Sequence, residues 1–185
     1  MLLFVEGPDK AGKSTFIKNL VEDFDFVPFT MPYPKDLATQ VDLSHYFLGA
    51  NTFLLEIYKS LDRVSAFDMV VHRSLVSEYA YGPEFGRQLG IVELCWWLKQ
   101  WPKDTAFVWI DISHDVYLKR LRNAPADQLS LRDEEVWGRI IWRYQCARGI
   151  IQQEGKCSLF VDGTADFETQ FESIRMMLPW DSDKR

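Results

Sequence analysis

Short apolar runs alternate with longer amphipathic stretches along the whole chain. Leu2–Val5 is a continuous apolar run that ends in a Gly-bearing turn, the pattern of a strand buried on both faces. Phe24–Phe29, Met69–Val71, Thr105–Ile112 and Ser158–Val161 repeat it. Between them, apolar positions recur at helical spacing. Ser14–Val21 puts Phe16, Ile17, Leu20 and Val21 on one face. Asp36–Leu48 and Phe53–Val64 are predicted as two helices broken at Gly49, and Ser74–Tyr81 as a short helix stopped by Gly82-Pro83. Ile91–Trp101 is stopped by Pro102, and Ser113 is placed to cap a helix over Val116–Leu121. Glu134–Glu154 is a long helix with Gly155 past its end, and Phe167–Met177 is the last helix. Met31-Pro32-Tyr33-Pro34 must be a non-helical turn, because each Pro pushes its predecessor out of the α region. Asn123–Ser130 has no strong apolar period and reads as a mobile loop.

Strands alternating with helices predict an α/β fold whose five-stranded parallel sheet is covered on both faces. In such folds ligands gather at the carboxyl ends of the strands. The segments just after the predicted strands are Gly7–Thr15, Met31–Pro34, His72-Arg73, Asp111 and Asp162–Thr164, and each carries polar or glycine residues.

Length and composition narrow this picture. The 185 residues fit one domain, and a chain 47% hydrophobic can offset its folding entropy by burial. The net charge of −6 argues against a protein that grips nucleic acid by its phosphates. Cys95, Cys146 and Cys157 are odd in number and widely spaced, so reduced thiols are expected, with neither a disulfide framework nor a zinc site. Met1–Val5 is too short and lacks the basic start of a signal peptide, and no run approaches the ~20 apolar residues of a membrane span. A cytosolic protein without membrane attachment is expected. Trp96, Trp97 and Trp101 lie at helical spacings and read as core or as a subunit contact.

Gly7-Pro8-Asp9-Lys10-Ala11-Gly12-Lys13-Ser14-Thr15 fits G-x-x-x-x-G-K-[ST], and it follows a predicted strand and opens a predicted helix. The glycines let successive backbone N–H groups converge on an anion, and the helix amino terminus adds positive partial charge. This predicts a P-loop: Lys13 bridging the β- and γ-phosphates of ATP, Ser14 holding Mg²⁺, and Gly7, Ala11, Gly12 and Thr15 completing the cradle. A guanine-reading N-K-x-D does not occur, so a kinase of small molecules leads over a GTPase.

Three stretches resemble the thymidylate kinase family. Phe4-Val-Glu6-Gly7-Pro-Asp9-Lys10-Ala-Gly12-Lys13-Ser14-Thr15 is similar to its F-x-E-G-x-D-x-A-G-K-S-T. His72-Arg73-Ser74-x-x-Ser77-x-x-Ala80-Tyr81 is similar to its D-R-Y-x-x-S-x-x-A-Y, and Val161-Asp162-Gly163-Thr164 to its I-D-G-T. The resemblance implies a three-layer P-loop fold over residues 1–185 with a short lid near 122–133. It implies transfer from ATP-Mg²⁺ to a deoxynucleoside monophosphate such as dTMP, within nucleotide biosynthesis. Asp9 would meet the acceptor's sugar, Lys10 the donor's terminal phosphate, and Arg73 the phosphates between donor and acceptor. Ser77 and Tyr81 would line the acceptor pocket, with Pro32, Tyr33 and Phe53 as further candidates and Glu56 and Arg63 beside them. Arg120 and Arg122 precede the lid, and Thr164 lies where the donor's adenine rests. A homodimer through the helices near Asp36–Val64 is implied, and stable nucleic-acid binding is not.

One departure matters. The family's Asp before the key Arg, which helps organise Mg²⁺, is His72 here, and an imidazole supplies no carboxylate to the metal's water shell. Asp111 or Glu6 would have to take its place. A hydroxyl acceptor on a nucleoside, modified base, sugar or nucleic-acid end therefore stays open, with His72, Asp9 or Asp36 as the base. A nucleotide-binding protein without catalysis is the third reading, opposed by the intact Gly12-Lys13-Ser14 and Arg73.

Overall fold

The computed structural model describes residues 1–30, 43–62, 67–122 and 133–175. Its strands are β1 (Leu2–Glu6), β2 (Val27–Thr30), β3 (Met69–His72), β4 (Ala106–Asp111) and β5 (Cys157–Asp162). They form one parallel sheet in the order β2-β3-β1-β4-β5. The helices are α1 (Lys13–Phe24), α2 (Leu43–Asp62), α3 (Leu75–Tyr81), α4 (Ile91–Gln100), α5 (His114–Leu121), α6 (Glu134–Gln153) and α7 (Phe167–Arg175).

β1 is the middle strand, and each of its five residues is buried. Its continuous apolar run is what a strand covered on both faces requires. On one face, Phe4 stacks on Phe107 at 5.0 Å and meets Trp101 and Trp97 of the α4 region edge-on at 5.0 and 5.5 Å. On the other, Phe16 and Phe24 of α1 meet Phe167 and Phe171 of α7, with Phe24 stacked on Phe171 at 4.0 Å. The result is the three-layer α/β arrangement of P-loop kinases. Trp97 and Trp101 are core, whereas Trp96 is 48% exposed.

Two expectations need correction. Gly49 does not break the chain: α2 runs through it without interruption. A mid-helix Gly costs ~1 kcal/mol relative to Ala, and burial of Phe47, Leu54, Leu55 and Tyr58 on the inner face outweighs that. The second strand begins at Val27 rather than Phe24, because α1 extends through Phe24 and ends on Asp25 in the left-handed region at φ 56°. Gly82-Pro83 ends α3 as expected, but as a 3₁₀ turn over Gly82–Phe85. Ser74 and Ser113 are N-caps, accepting from the backbone N–H of Val76 and Val116. Pro32, Tyr33, Asp36 and Arg63, the Asn123–Ser130 loop, and thus nearly all of the lid, lie outside the described residues.

Candidate active site

The loop between β1 and α1 folds around its own glycines. Gly7 adopts φ 134°, and a Cβ there would lie 2.2 Å from the Ile110 carbonyl oxygen of β4. Gly12, at φ 107°, precedes α1, and no side chain caps the helix. The amino terminus of α1 is thus left for an anion. Lys10 takes the left-handed region at φ 61°. Lys13 is buried, and its Nζ donates to the carbonyls of Gly7 at 2.8 Å and Pro8 at 2.6 Å. Burial, assisted by the Arg73 charge, pulls its pKa down to about 7. Arg120 donates to the Lys10 carbonyl at 2.8 Å and the Gly163 carbonyl at 2.7 Å, which ties this loop to the turn after β5. A Cβ on Gly163 would lie 2.5 Å from the Ala11 carbonyl oxygen, so that turn packs directly on the loop.

These groups line a cavity of about 610 Å³ that also reaches His72, Arg73 and the start of α7. Lys10, Lys13, Arg73 and Arg120 make its loop end strongly cationic, which suits a polyphosphate. Ser14 is exposed in it, and its hydroxyl could join phosphate oxygens in holding a divalent ion. Among the described residues, no group of three or more His, Cys, Asp or Glu could hold a metal by itself. Asp111 does not line this cavity; it borders a separate space of about 80 Å³ with Arg148 and Phe160. Thr164 turns its hydroxyl to Asp162 at 2.7 Å, while its neighbours Gly163 and Ala165 line the cavity.

A second cavity of about 360 Å³ adjoins the first, and Asp9, His72 and Arg73 line both. Arg73 sits just past β3 with φ 66°. It is ion-paired with Asp9 and lies 5.3 Å from the centre of the Tyr81 ring. The Asp9 backbone N–H donates to the Tyr81 hydroxyl at 2.8 Å. Burial opposes the Arg73 charge, but Asp9, Tyr144, Tyr81 and Glu6 outweigh it and hold the guanidinium protonated. His72 moves the other way: burial and then the Lys13 and Arg73 charges push its pKa down to about 4, so the ring is neutral at pH 7.

Below the loop lies a buried network that motif reading does not disclose. The Glu6 carboxylate accepts from Ser74 at 2.6 Å and Ser77 at 2.7 Å. Ser77 meets the Tyr144 hydroxyl at 3.0 Å, and that hydroxyl donates to the Gly7 carbonyl at 3.1 Å. Burial raises the Glu6 pKa, partly offset by the serine hydroxyls. β1, α3 and α6 are thereby joined to the loop. Glu6 is engaged from both oxygens, in a position to shape the loop.

Ser77 and Tyr81 line the second cavity. Phe53 does not; it is 65% exposed on the outer face of α2. The same helix contributes Phe47 instead, and the turn after α3 contributes Phe85 and Arg87. Arg87 forms a bidentate pair with the buried Glu78, at 2.7 and 3.0 Å. The signal for Phe47 was available: it shares the helical face of Leu54, Leu55 and Tyr58, whereas Phe53 does not. Arg87 lies in a Gly-rich stretch with no periodicity to mark it.

No protein-family model matches the chain, and no curated protein is significantly similar to it. Solved structures share its fold. The YorR protein from Bacillus subtilis, in complex with phosphorylated GDP, superposes with a TM-score of 0.67 at 16% identity, covering 100% of this chain and 99% of that one. Deoxyadenosine kinase from M. mycoides with bound dATP gives a TM-score of 0.62 at 16% identity, over 97% of this chain and 100% of that one. The same kinase with dCMP and dCDP gives 0.55 at 17% identity, over 96% and 98%.

Proposed function

We propose that this chain is a P-loop kinase that transfers the γ-phosphoryl group of ATP-Mg²⁺ to a deoxynucleoside monophosphate, dTMP or a related nucleotide. The observation that carries the reading is that two adjoining cavities share Asp9, His72 and Arg73. A donor in one and an acceptor in the other would bring their phosphates together at Arg73. Phosphoryl transfer consists mostly of such positioning and of stabilising charge on the transferred group.

Each residue has a part in this reading. Gly7, Ala11, Gly12 and Thr15 shape the cradle. Lys13 would leave its two carbonyl partners for the donor's phosphates, with Lys10 beside it. Mg²⁺, held by Ser14 and phosphate oxygens, would neutralise charge developing between the β- and γ-phosphates. Arg120 and the turn at Thr164 would border the donor nucleoside. Asp9, anchored by Arg73 and Tyr81, faces the acceptor, whose base would lie among Phe47, Phe85 and Tyr81. A monophosphate acceptor is already anionic and needs no general base. That agrees with the cleft's own chemistry: His72 is a weak base at a pKa of about 4, and Asp9 and Glu78 are each ion-paired to an arginine.

A hydroxyl acceptor is the second reading, favoured by the shared fold with a deoxyadenosine kinase. Coupled ADP release with ATP-Mg²⁺, against a panel of nucleoside monophosphates and the matching nucleosides, separates the two. Turnover of monophosphates, dTMP foremost, is expected, with Lys13→Ala inactive. Arg73→Ala should lower kcat by ~10²–10³-fold, as loss of a donor aimed at the transition state does. Turnover of nucleosides alone would overturn the monophosphate assignment.

A further inference from the structure

The larger cavity does not end at its cationic loop. It continues past Thr15 along α1 to Asn19 and reaches Ala165, Asp166, Phe167 and Gln170 at the start of α7. The character of the wall changes on the way. The near end holds the lysines and arginines, while the far end holds two amides, an aromatic ring and the Asp166 carboxylate, which accepts from the Thr169 backbone N–H at 2.8 Å. Phe167 is fixed there by Phe16, edge-on at 5.6 Å, and by Phe171, stacked at 5.8 Å. A compartment with phosphate-binding charge at one end and a flat apolar wall with amides at the other suits a nucleotide lying lengthwise, base towards α7.

Gln170 has unusual definition for a surface-helix amide. It is only 8% exposed. Its Nε2 donates to the Asp162 carbonyl at 2.9 Å and to the Ala165 carbonyl at 3.0 Å. A carboxamide nitrogen has two hydrogens, and both are committed. The two carbonyl acceptors also settle which end of the amide is nitrogen, since an oxygen in that position would face two lone pairs. What Gln170 can still offer a ligand is therefore Oε1, an acceptor and never a donor. Asn19 across the cavity has no such restraint among the described residues.

We propose that Gln170 is a specificity-determining residue that selects adenine over guanine at the donor base. Adenine carries an amino group at its 6-position, which donates to Oε1; guanine carries an oxo group, which would set acceptor against acceptor. A buried acceptor left facing another has no compensation from water, so the discrimination is large relative to the change in size. This inference rests on the donor-site reading of the P-loop cavity.

The test is calorimetric binding of Mg²⁺ complexes of ADP, GDP and purine riboside diphosphate, which lacks any 6-substituent, to the full chain without acceptor. The wild-type protein is expected to bind ADP about tenfold or more tighter than either of the others. Gln170→Lys keeps donors for both carbonyls and replaces the acceptor with a further donor. It should shift the ADP-to-GDP affinity ratio about tenfold or more towards GDP. Wild-type protein that binds purine riboside diphosphate as tightly as ADP would overturn the proposal, and this comparison stands whether or not the variant folds. So would a folded Gln170→Lys protein with an unchanged ratio. If none of the nucleotides binds, the donor-site reading itself fails and takes this inference with it, an outcome distinct from binding without discrimination.

Discussion

Burial and function pull Lys13 in opposite directions. Its ammonium is enclosed, pushed down to a pKa of about 7 by burial and by the Arg73 charge, and satisfied by the Gly7 and Pro8 carbonyls. A polyphosphate in the cavity would restore the charge, because anionic oxygens within contact favour the protonated form. The sign follows from linkage. In the free protein Lys13 loses its proton as pH rises through about 7, whereas in the complex it keeps it. Binding above that pH therefore takes up a proton, and MgADP affinity should fall by up to ~10-fold per pH unit towards pH 9. Calorimetry at pH 8 in two buffers of different ionisation enthalpy would read the uptake directly. Lys13→Met should abolish it, and a flat affinity from pH 7 to 9 would show that Lys13 is not linked to the nucleotide. His72 fits the same electrostatic picture, since an imidazole between Lys13 and Arg73 stays neutral where a carboxylate would not.

At the scale of elements, the glycines separate cleanly by geometry. Gly7 joins β1 to the loop with a positive φ and no room for a Cβ against β4. Gly7→Ala should cost ~2–4 kcal/mol, read as a lower urea midpoint with unchanged slope, because backbone strain and overpacking add. Gly49, inside α2, has nothing within 4 Å of its would-be Cβ. Gly49→Ala should stabilise by ~0.5–1 kcal/mol. The 3₁₀ turn that carries Phe85 is fastened to α6 by Glu84, which accepts from Arg139 at 2.8 and 3.0 Å and from Arg143 at 2.7 Å. Arg139 and then Arg143 hold the Glu84 pKa down to about 2. Its stabilisation is present above the ordinary carboxylate range and is lost as pH falls from there towards 2. Acid titration of stability should therefore be shallower between pH 5 and 2 in Glu84→Gln than in the wild type. These same elements show what a sequence can disclose. Strands β1, β3 and β4 were legible because strands buried on both faces read as apolar runs, and β5, an edge strand that buries only Leu159 and Val161, was legible from its short apolar run before the Asp162-Gly163 turn. The loop was legible because glycines and a lysine at fixed offsets between a strand and a helix form a recognisable anion-wrapping pattern. Gly49 misled because local propensity is weaker than the burial of one helix face. Tyr144 was silent because its partners Ser77 and Gly7 lie far away in the chain, and Arg87 because no periodicity marks the stretch that carries it.

For the whole molecule, the sheet order places the site. With β1 central and β3 and β4 beside it, the loop after β1, the Arg73 bend after β3 and the turn after β5 all open at one edge of the sheet. The chain carries a net charge of −6, yet this edge gathers Lys10, Lys13, Arg73 and Arg120. Burial first, and after it repulsion from Arg73 and, for His72, from Lys13, pushes the Lys13 and His72 pKa values down. An anionic ligand relieves that repulsion only in the folded state, so it should stabilise the whole domain by mass action. MgADP at ~100 times its Kd would contribute ~2.7 kcal/mol. For a domain of this size each kcal/mol raises Tm by ~2–4 °C, so the expected shift is ~5–11 °C. Raising ionic strength should shrink the shift, because the partly exposed cations at the cavity mouth are screened. Lys13→Ala should unfold at or above the wild-type Tm without nucleotide, since it removes a buried charge, and should show little shift with it. A shift that survives in Lys13→Ala would place the nucleotide outside the loop cavity and separate binding at this edge of the sheet from the chemistry assigned to it.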